Sequence, residues 1–488
     1  MKRILVIMSA VAALLTACQS QKTSDAVATG ADVTVEQSLP ITGTFLNLAY
    51  QDVRNKYTNP PYIDNTDPRM WEAKIAEMKM MGMEYLIFMA VANEEKAYYP
   101  SKLMAWHYPE WRKSPVDAIM DAAAEHGMKV FMSTGWAKDQ DDNLRDPKIK
   151  GRQIEMMTEL AGLYGNHPAL YGWYLPVEDC LGPVLTDYAV EAVNALTARA
   201  RELTPEKKIL ISPYGIFNSD FNDPRYEQQL SRLNVDIIAY QDEVGCVRER
   251  YPLTRLRENW KKLRTIHDKT GVQMWANCET FAWEKGTNDR SSALIPAPFP
   301  RILSQMATAT AGGAERIVSF IMCGLFEDPS SQYRLGQPHW SEQAWEDYMA
   351  WISGDRYWKL AEASILGKFG SAATEDLNDA LWNAYKPGTH EMILDLSEEM
   401  DVNEVLVPML NSHKDGIVPP SKLFLFSSKD GENWSLEQIK DSPVCPNTNH
   451  DAFIDYVLFN PTDCMASYIK VAFTAESTAY FDKMILNP

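Results

Sequence analysis

From residue 41 onward the chain alternates between short apolar runs and longer stretches with helical spacing. Ile41–Tyr50 is apolar, and Asp67–Gly82 after it repeats its apolar positions every three or four residues and stops on glycine. The pairing recurs as Glu84–Val91 with Ser114–Gly127, Lys129–Trp136 with Pro147–Tyr164, and Leu170–Asp179 with Thr186–Leu203. Lys208–Gly215 with Asp223–Leu233, Val235–Gly245 with Leu253–Lys269, Val272–Phe281 with Pro298–Gly312, and Arg316–Cys323 with Ser341–Ile352 complete the series. Strand then helix, eight times over, predicts an α/β protein built on a (β/α)8 TIM barrel across residues 41–353. The competing arrangement is an open doubly wound sheet. That fold expects a glycine-rich phosphate turn after its first strand, and Thr42-Gly43-Thr44 is not one.

The pattern changes twice more. After Gly354 short alternating runs (Glu391–Leu396, Val402–Met409, Lys422–Ser427, Tyr468–Phe473, Lys483–Leu486) are punctuated by Asp, Gly, Asn and Pro, which predicts an all-β sandwich over residues 354–488. At the other end Lys2-Arg3 precedes an apolar stretch, Ile4–Leu15, too short to span a bilayer. Residues 19–40 are polar and small, the texture of a tether. Leu15-Thr16-Ala17-Cys18 resembles the bacterial lipobox, which implies that residues 1–18 are a signal peptide ending at a lipidated Cys18. The expected localisation is therefore the cell envelope, with the membrane touched only through that lipid.

Charge narrows the partners. The formal net charge of −19 disfavours nucleic acid and anionic membrane surfaces, which need clustered Lys and Arg. The 45% hydrophobic content with 11% aromatics is enough for sizeable cores.

In a parallel barrel chemistry is done where strands end. The fourth run, Leu-Tyr-Gly-Trp-Tyr-Leu-Pro-Val-Glu-Asp, is apolar until Pro176, which cannot donate to a ladder, and then delivers Glu178 and Asp179. The other tips offer Asn47, Trp136, Tyr214, Gln241, Asp242, Glu243, Asn277 and Glu279. Carboxylates interleaved with aromatics and amides suit glycoside cleavage. One carboxyl gives a proton to the leaving oxygen, another attacks carbon or activates water, rings cover sugar C–H faces and amides bind hydroxyls. Glu178, Glu279 and Asp242 are the catalytic candidates, Asp242 competing with Glu279 for the second role. Asp179, Gln241, Glu243, Trp136, Tyr214, Asn277 and Asn47 are candidate carbohydrate contacts. Tyr174, Tyr240 and Trp275 are left open, because alternation sends only some strand residues inward. The eight His avoid the predicted tips, so no metal or other cofactor is expected. Of the six cysteines besides Cys18, Cys445 and Cys464 could pair, and Cys180, Cys246, Cys278 and Cys323 read as mostly buried thiols.

Carboxylates after strands four and seven resemble clan A retaining glycoside hydrolases, which implies Glu178 as acid/base and Glu279 as nucleophile. Val177 stands where that clan usually carries Asn. Gly172-Trp173-Tyr174 running into Glu178-Asp179, with Gln241-Asp242-Glu243-Val244-Gly245, is similar to a family of bacterial barrel lipoproteins of unknown function suspected to be glycosidases. Ser427–Trp434 with Tyr468-Ile469-Lys470-Val471 resembles discoidin-type, galactose-binding-like sandwiches. The expectation is a glycoside hydrolase acting on oligosaccharides or glycans, with the retaining mechanism that those relatives imply; the alternative is a non-catalytic glycan-binding lipoprotein.

Overall fold

The structure is a computed structural model that describes residues 38–48, 67–106, 113–138, 143–246, 253–283, 293–297, 299–335, 341–353, 383–411, 416–442, 453–481 and 484–486. Residues 1–37, which include Cys18, and Cys445 lie outside them.

Eight parallel strands close into a barrel: β1 (Ile41–Asn47), β2 (Tyr85–Ala90), β3 (Lys129–Met132), β4 (Leu170–Tyr174), β5 (Lys208–Ile211), β6 (Ile237–Gln241), β7 (Gln273–Glu279) and β8 (Arg316–Phe320), with β8 returning to pair β1. The helices are α1 (Pro68–Met80), α2 (Pro115–Glu125), α3 (Pro147–Tyr164), α4 (Asp187–Leu203), α5 (Pro224–Arg232), α6 (Leu253–Thr270), α7 (Phe299–Ala311) and α8 (Ser341–Ser353). Their starts are written locally. Asp67, Ser114, Asp146, Thr186 and Asp223 each accept a backbone N–H from the first turn, and proline opens α1, α2, α3 and α5.

Alternation divides each strand between two cores. Phe45, Tyr85, Ile87, Phe131, Tyr174, Leu210, Ile237, Ala239, Trp275 and Val318 fill the barrel axis, while their neighbours pack beneath the helices. Gly172 belongs to the axis by omission. A Cβ there would run into Lys208 O and sit 2.7 Å from the Phe131 ring. The pairing of β3 with β4 shifts register beside it, so Tyr171 also packs on the axial rings. The floor is closed by cations on aromatic faces. Lys129 Nζ lies 5.0 Å from the centre of the Tyr85 ring and 5.3 Å from that of Tyr171, and the Arg316 guanidinium lies 5.2 Å from Tyr85.

Tyr240 points the opposite way, into a buried chain behind β6. His267 Nδ1 lies 2.7 Å from Val272 O, which can only accept, so Nδ1 carries the proton. Nε2 therefore accepts from Tyr240 Oη at 2.7 Å, and Tyr240 accepts from Tyr226 Oη at 2.6 Å. Burial above all drives the His267 pKa down to about 4, against an ordinary 6.5. The folded value is the depressed one, so its stabilising contribution is complete above pH 6.5 and is lost as pH falls toward 4. Urea unfolding is expected to lose about 3 kcal/mol from this residue across that window. A His267→Gln protein should show a correspondingly flatter pH profile, and equal slopes in the two proteins would contradict it.

The C-terminal strands are β9 (Asn383–Tyr385), β10 (Gly388–Asp401), β11 (Val405–Asn411), β12 (Lys422–Ser428), β13 (Ser435–Asp441), β14 (Phe453–Phe459), β15 (Met465–Ala475), β16 (Ala479–Phe481) and β17 (Ile485–Leu486). One antiparallel sheet runs β10-β15-β12-β13. The other runs β9-β16-β11-β14, with β17 also paired to β11. Alternate residues of both sheets, among them Met392, Leu394, Val407, Leu425, Val471 and Phe473, form a second core. Leu406, on the other face of β11, joins the barrel's buried cluster. Cys464 and Cys180 are free thiols. Among the described residues no helix is long and apolar enough to cross a membrane.

Candidate active site

The C-terminal mouth of the barrel is assembled from strand ends. Past Tyr174 only the Leu175 N–H still reaches β5, at 3.0 Å from Leu210 O, before Pro176 ends the ladder. Glu178 follows, exposed, with Oε1 accepting from Gln241 Nε2 at 2.8 Å. The same amide donates to Ser212 O at 3.0 Å. A carbonyl only accepts, so the Gln241 nitrogen must face this side and the bonded Glu178 oxygen must be an acceptor. Tyr174 lies close by. Burial first, and then the Glu178 carboxylate, push its phenol well above the usual range. Tyr214, 37% exposed, is raised by burial and then by Cys180, Glu178, Asp179 and Glu243.

On β7 alternation turns Trp275, Asn277 and Glu279 inward. Glu279 is 4% exposed. Its Oε2 accepts from Cys246 N at 2.5 Å, and a Cβ on Gly245 would lie 3.3 Å from that oxygen. The loop after β6 thus folds closely over this carboxylate, and Gly245 leaves the room for it.

Asp242 is held by hydrogen bonds behind the strand ends. Gln241 takes the inward position at the end of β6, so Asp242 faces out toward α7. Its Oδ1 accepts from Glu279 N at 3.1 Å and Val244 N at 3.3 Å, and its Oδ2 from Gln305 Nε2 at 2.7 Å. This carboxylate holds the backbone that presents Glu279. Glu243 and Asp179 are also braces. Glu243, at φ +54, accepts from Gly215 N at 2.8 Å, and Asp179 Oδ2 accepts from Thr186 N at 2.8 Å. Asn277 Nδ2 donates to Ser212 Oγ at 3.1 Å. Asn47 is buried at the end of β1, in register with Ala90. Trp136 lines a cavity of about 70 Å³ beside Glu178, together with Tyr188 and Gln153.

The mouth therefore brings Glu178, Gln241, Ser212 and Asn277 into one hydrogen-bonded set, with Glu279 two residues beyond Asn277 on the same inner face. Ser212 and Gln305 were missed from sequence. Ser212 continues the inward alternation of Leu210 and could have been found by it. Gln305 sits on a helix and carries no comparable signal. Among the described residues no group of three or more His, Cys, Asp or Glu side chains is arranged to hold a metal.

The profile of a domain of unknown function, DUF4434, matches residues 41–333. The chain belongs to that family. The DUF4434 barrel is similar in fold to a Bacteroides thetaiotaomicron structure provisionally named an α-L-fucosidase, at 17% identity and a TM-score of 0.52, covering 68% of this chain and 99% of that one. A β-galactosidase from the psychrophilic Marinomonas ef1 aligns at 13% identity and a TM-score of 0.41, covering 64% and 59% of the two chains. A xylanase of Thermoanaerobacterium saccharolyticum aligns at 15% identity and 0.35, covering 63% and 93%. No curated protein matches the sequence.

Proposed function

We propose that this DUF4434 protein is a glycoside hydrolase acting on an oligosaccharide or glycan. The observation that carries the reading is a pair of carboxylates at the mouth of a closed parallel barrel. Glu178 stands beyond β4 in the grip of Gln241, and Glu279 stands at the inner end of β7 under the Gly245-Cys246 loop. Glu178 is the acid/base: it gives its proton to the glycosidic oxygen and then takes one from the incoming water. Because Oε1 accepts from Gln241, the proton sits on Oε2 when Glu178 is neutral. Glu279 is the nucleophile, positioned by the Cys246 N–H. Trp136 and Tyr214 offer the sugar-facing aromatic surface. The body is tethered to the cell envelope through Cys18, and the C-terminal sandwich is discoidin-like. Both of these rest on the sequence patterns at those segments.

The test is release of sugar from a panel of 4-nitrophenyl glycosides and plant and host glycans, with NMR of the first-formed anomer. Turnover with retained configuration supports the assignment. Inversion would remove Glu279 as nucleophile and leave it the base that activates water. Glycan binding without turnover would favour the binding-protein alternative, to which Val177 in place of Asn before Glu178 also points.

A further inference from the structure

Ser212 fixes the polarity of an amide at the mouth. Its hydroxyl donates to Ala239 O at 2.7 Å. A carbonyl oxygen cannot donate in return, so the one hydroxyl hydrogen is committed, and Ser212 Oγ can only accept from Asn277. The 3.1 Å contact is therefore with Asn277 Nδ2, and Oδ1 is turned away from β5. Asn277 is 2% exposed and stands one inward step above Trp275, level with Gln241 on β6 and Val318 on β8. Its Oδ1 is buried and has no hydrogen-bond partner among the described residues. A buried acceptor without a donor is costly, and here it lies among the side chains that hold Glu178.

We propose that Asn277 Oδ1 is the specificity-determining acceptor of this site. It takes the hydrogen of one hydroxyl on a pyranose ring seated at the mouth, and Ser212 is the positioning residue that keeps it an acceptor. The ligand class is a sugar with a free hydroxyl at that one ring position. A deoxy, fluoro or O-methyl group there leaves Oδ1 without a donor and is rejected, whereas a hydroxyl is not. The inference rests on the carbohydrate reading above, but not on turnover.

The experiment measures binding by the full chain, by calorimetry, to methyl glycosides of the common hexoses, pentoses and 6-deoxyhexoses. The monodeoxy series of the tightest of them follows, with wild type, Asn277→Ala and Ser212→Ala. For wild type, one deoxy position is expected to weaken binding about 10- to 100-fold. Asn277→Ala should bind the parent sugar as weakly as wild type binds that deoxy analogue, and should lose nothing further on it. Ser212→Ala keeps the amide but frees it to turn over, so it should shrink the same discrimination while leaving the other positions unchanged. If every deoxy penalty persists undiminished in Asn277→Ala, or in Ser212→Ala when Asn277→Ala does not fold, the acceptor is satisfied by water and the proposal is overturned. Sugar binding with this coupling but no hydrolysis would fail the enzyme assignment and leave the proposal standing. Absence of binding to every glycoside would overturn both.

Discussion

Glu178→Gln and Glu279→Gln proteins are expected to fail in different ways. Loss of a general acid costs about 10²–10⁴-fold when the leaving oxygen needs a proton, and little when it does not. Glu178→Gln should therefore lose that factor in kcat/KM on an alkyl glycoside or natural glycan. It should cleave a 2,4-dinitrophenyl glycoside with a much smaller deficit and accumulate the glycosyl-enzyme, seen as a burst. On the proposed assignment Glu279→Gln removes the attacking atom, so its loss should be about as large on both substrates, with no burst. The two variants must be run side by side on both leaving groups. Equal deficits for Glu178→Gln would remove it as the acid, and a burst from Glu279→Gln would remove it as the nucleophile. Because Glu178→Gln sets a new amide against the amide of Gln241, part of any loss could come from misorientation. The leaving-group contrast separates the two, since misorientation is indifferent to what departs.

The second large effect lies away from the mouth. Lys74 of α1 is buried with its Nζ 2.7 Å from Glu77 Oε2 and 2.6 Å from Glu327 Oε2, in the segment that follows β8. Burial alone would lower the Lys74 pKa, but the two carboxylates outweigh it and the value stands above the ordinary one. Glu327 is pushed upward, chiefly by burial. Its other oxygen accepts from Leu335 N at 3.1 Å, and Ser331 Oγ bonds Glu77. The cluster fastens the chain from residue 327 to 335 against the first helix. Lys74→Met is expected to cost about 3–5 kcal/mol, because it leaves two carboxylates buried and facing each other. The deficit should shrink as pH falls. A carboxyl whose folded pKa is raised favours the folded state below its unfolded value of 4.5 and loses that advantage as pH rises. Lys74→Met/Glu77→Gln/Glu327→Gln should recover much of the loss. Denaturant titrations of the two variants at pH 7 and 5 check this. A shift under about 1 kcal/mol for Lys74→Met would show that the ammonium contributes little.

The barrel was legible because each strand and each helix cap declares itself locally. Pro147–Tyr164 coincides with the helix that forms, and Asp, Ser or Thr stands before α1 to α5. The direction of side chains at the strand tips was not legible, because it depends on register that only pairing sets. Gln241 and Asp242 are adjacent and polar, and the sequence alone does not say which of them faces the axis. Tyr174 and Tyr240 look alike as strand aromatics, yet one fills the barrel and the other bonds His267. In the sandwich β13 was missed because an edge strand with both faces partly open has no buried side to impose alternation. Asn383–Tyr385 is too short to signal at all.

The Lys129 and Arg316 cations under Tyr85 and Tyr171, with Glu84 Oε2 at 3.9 and 3.7 Å from them, cap the packed axis at the end opposite Gln241 and Asn277. On the proposed hydrolase reading, a ligand enters and a released fragment leaves by the rim that carries Gln241 and Asn277, so product and the next ligand are rivals for the same passage.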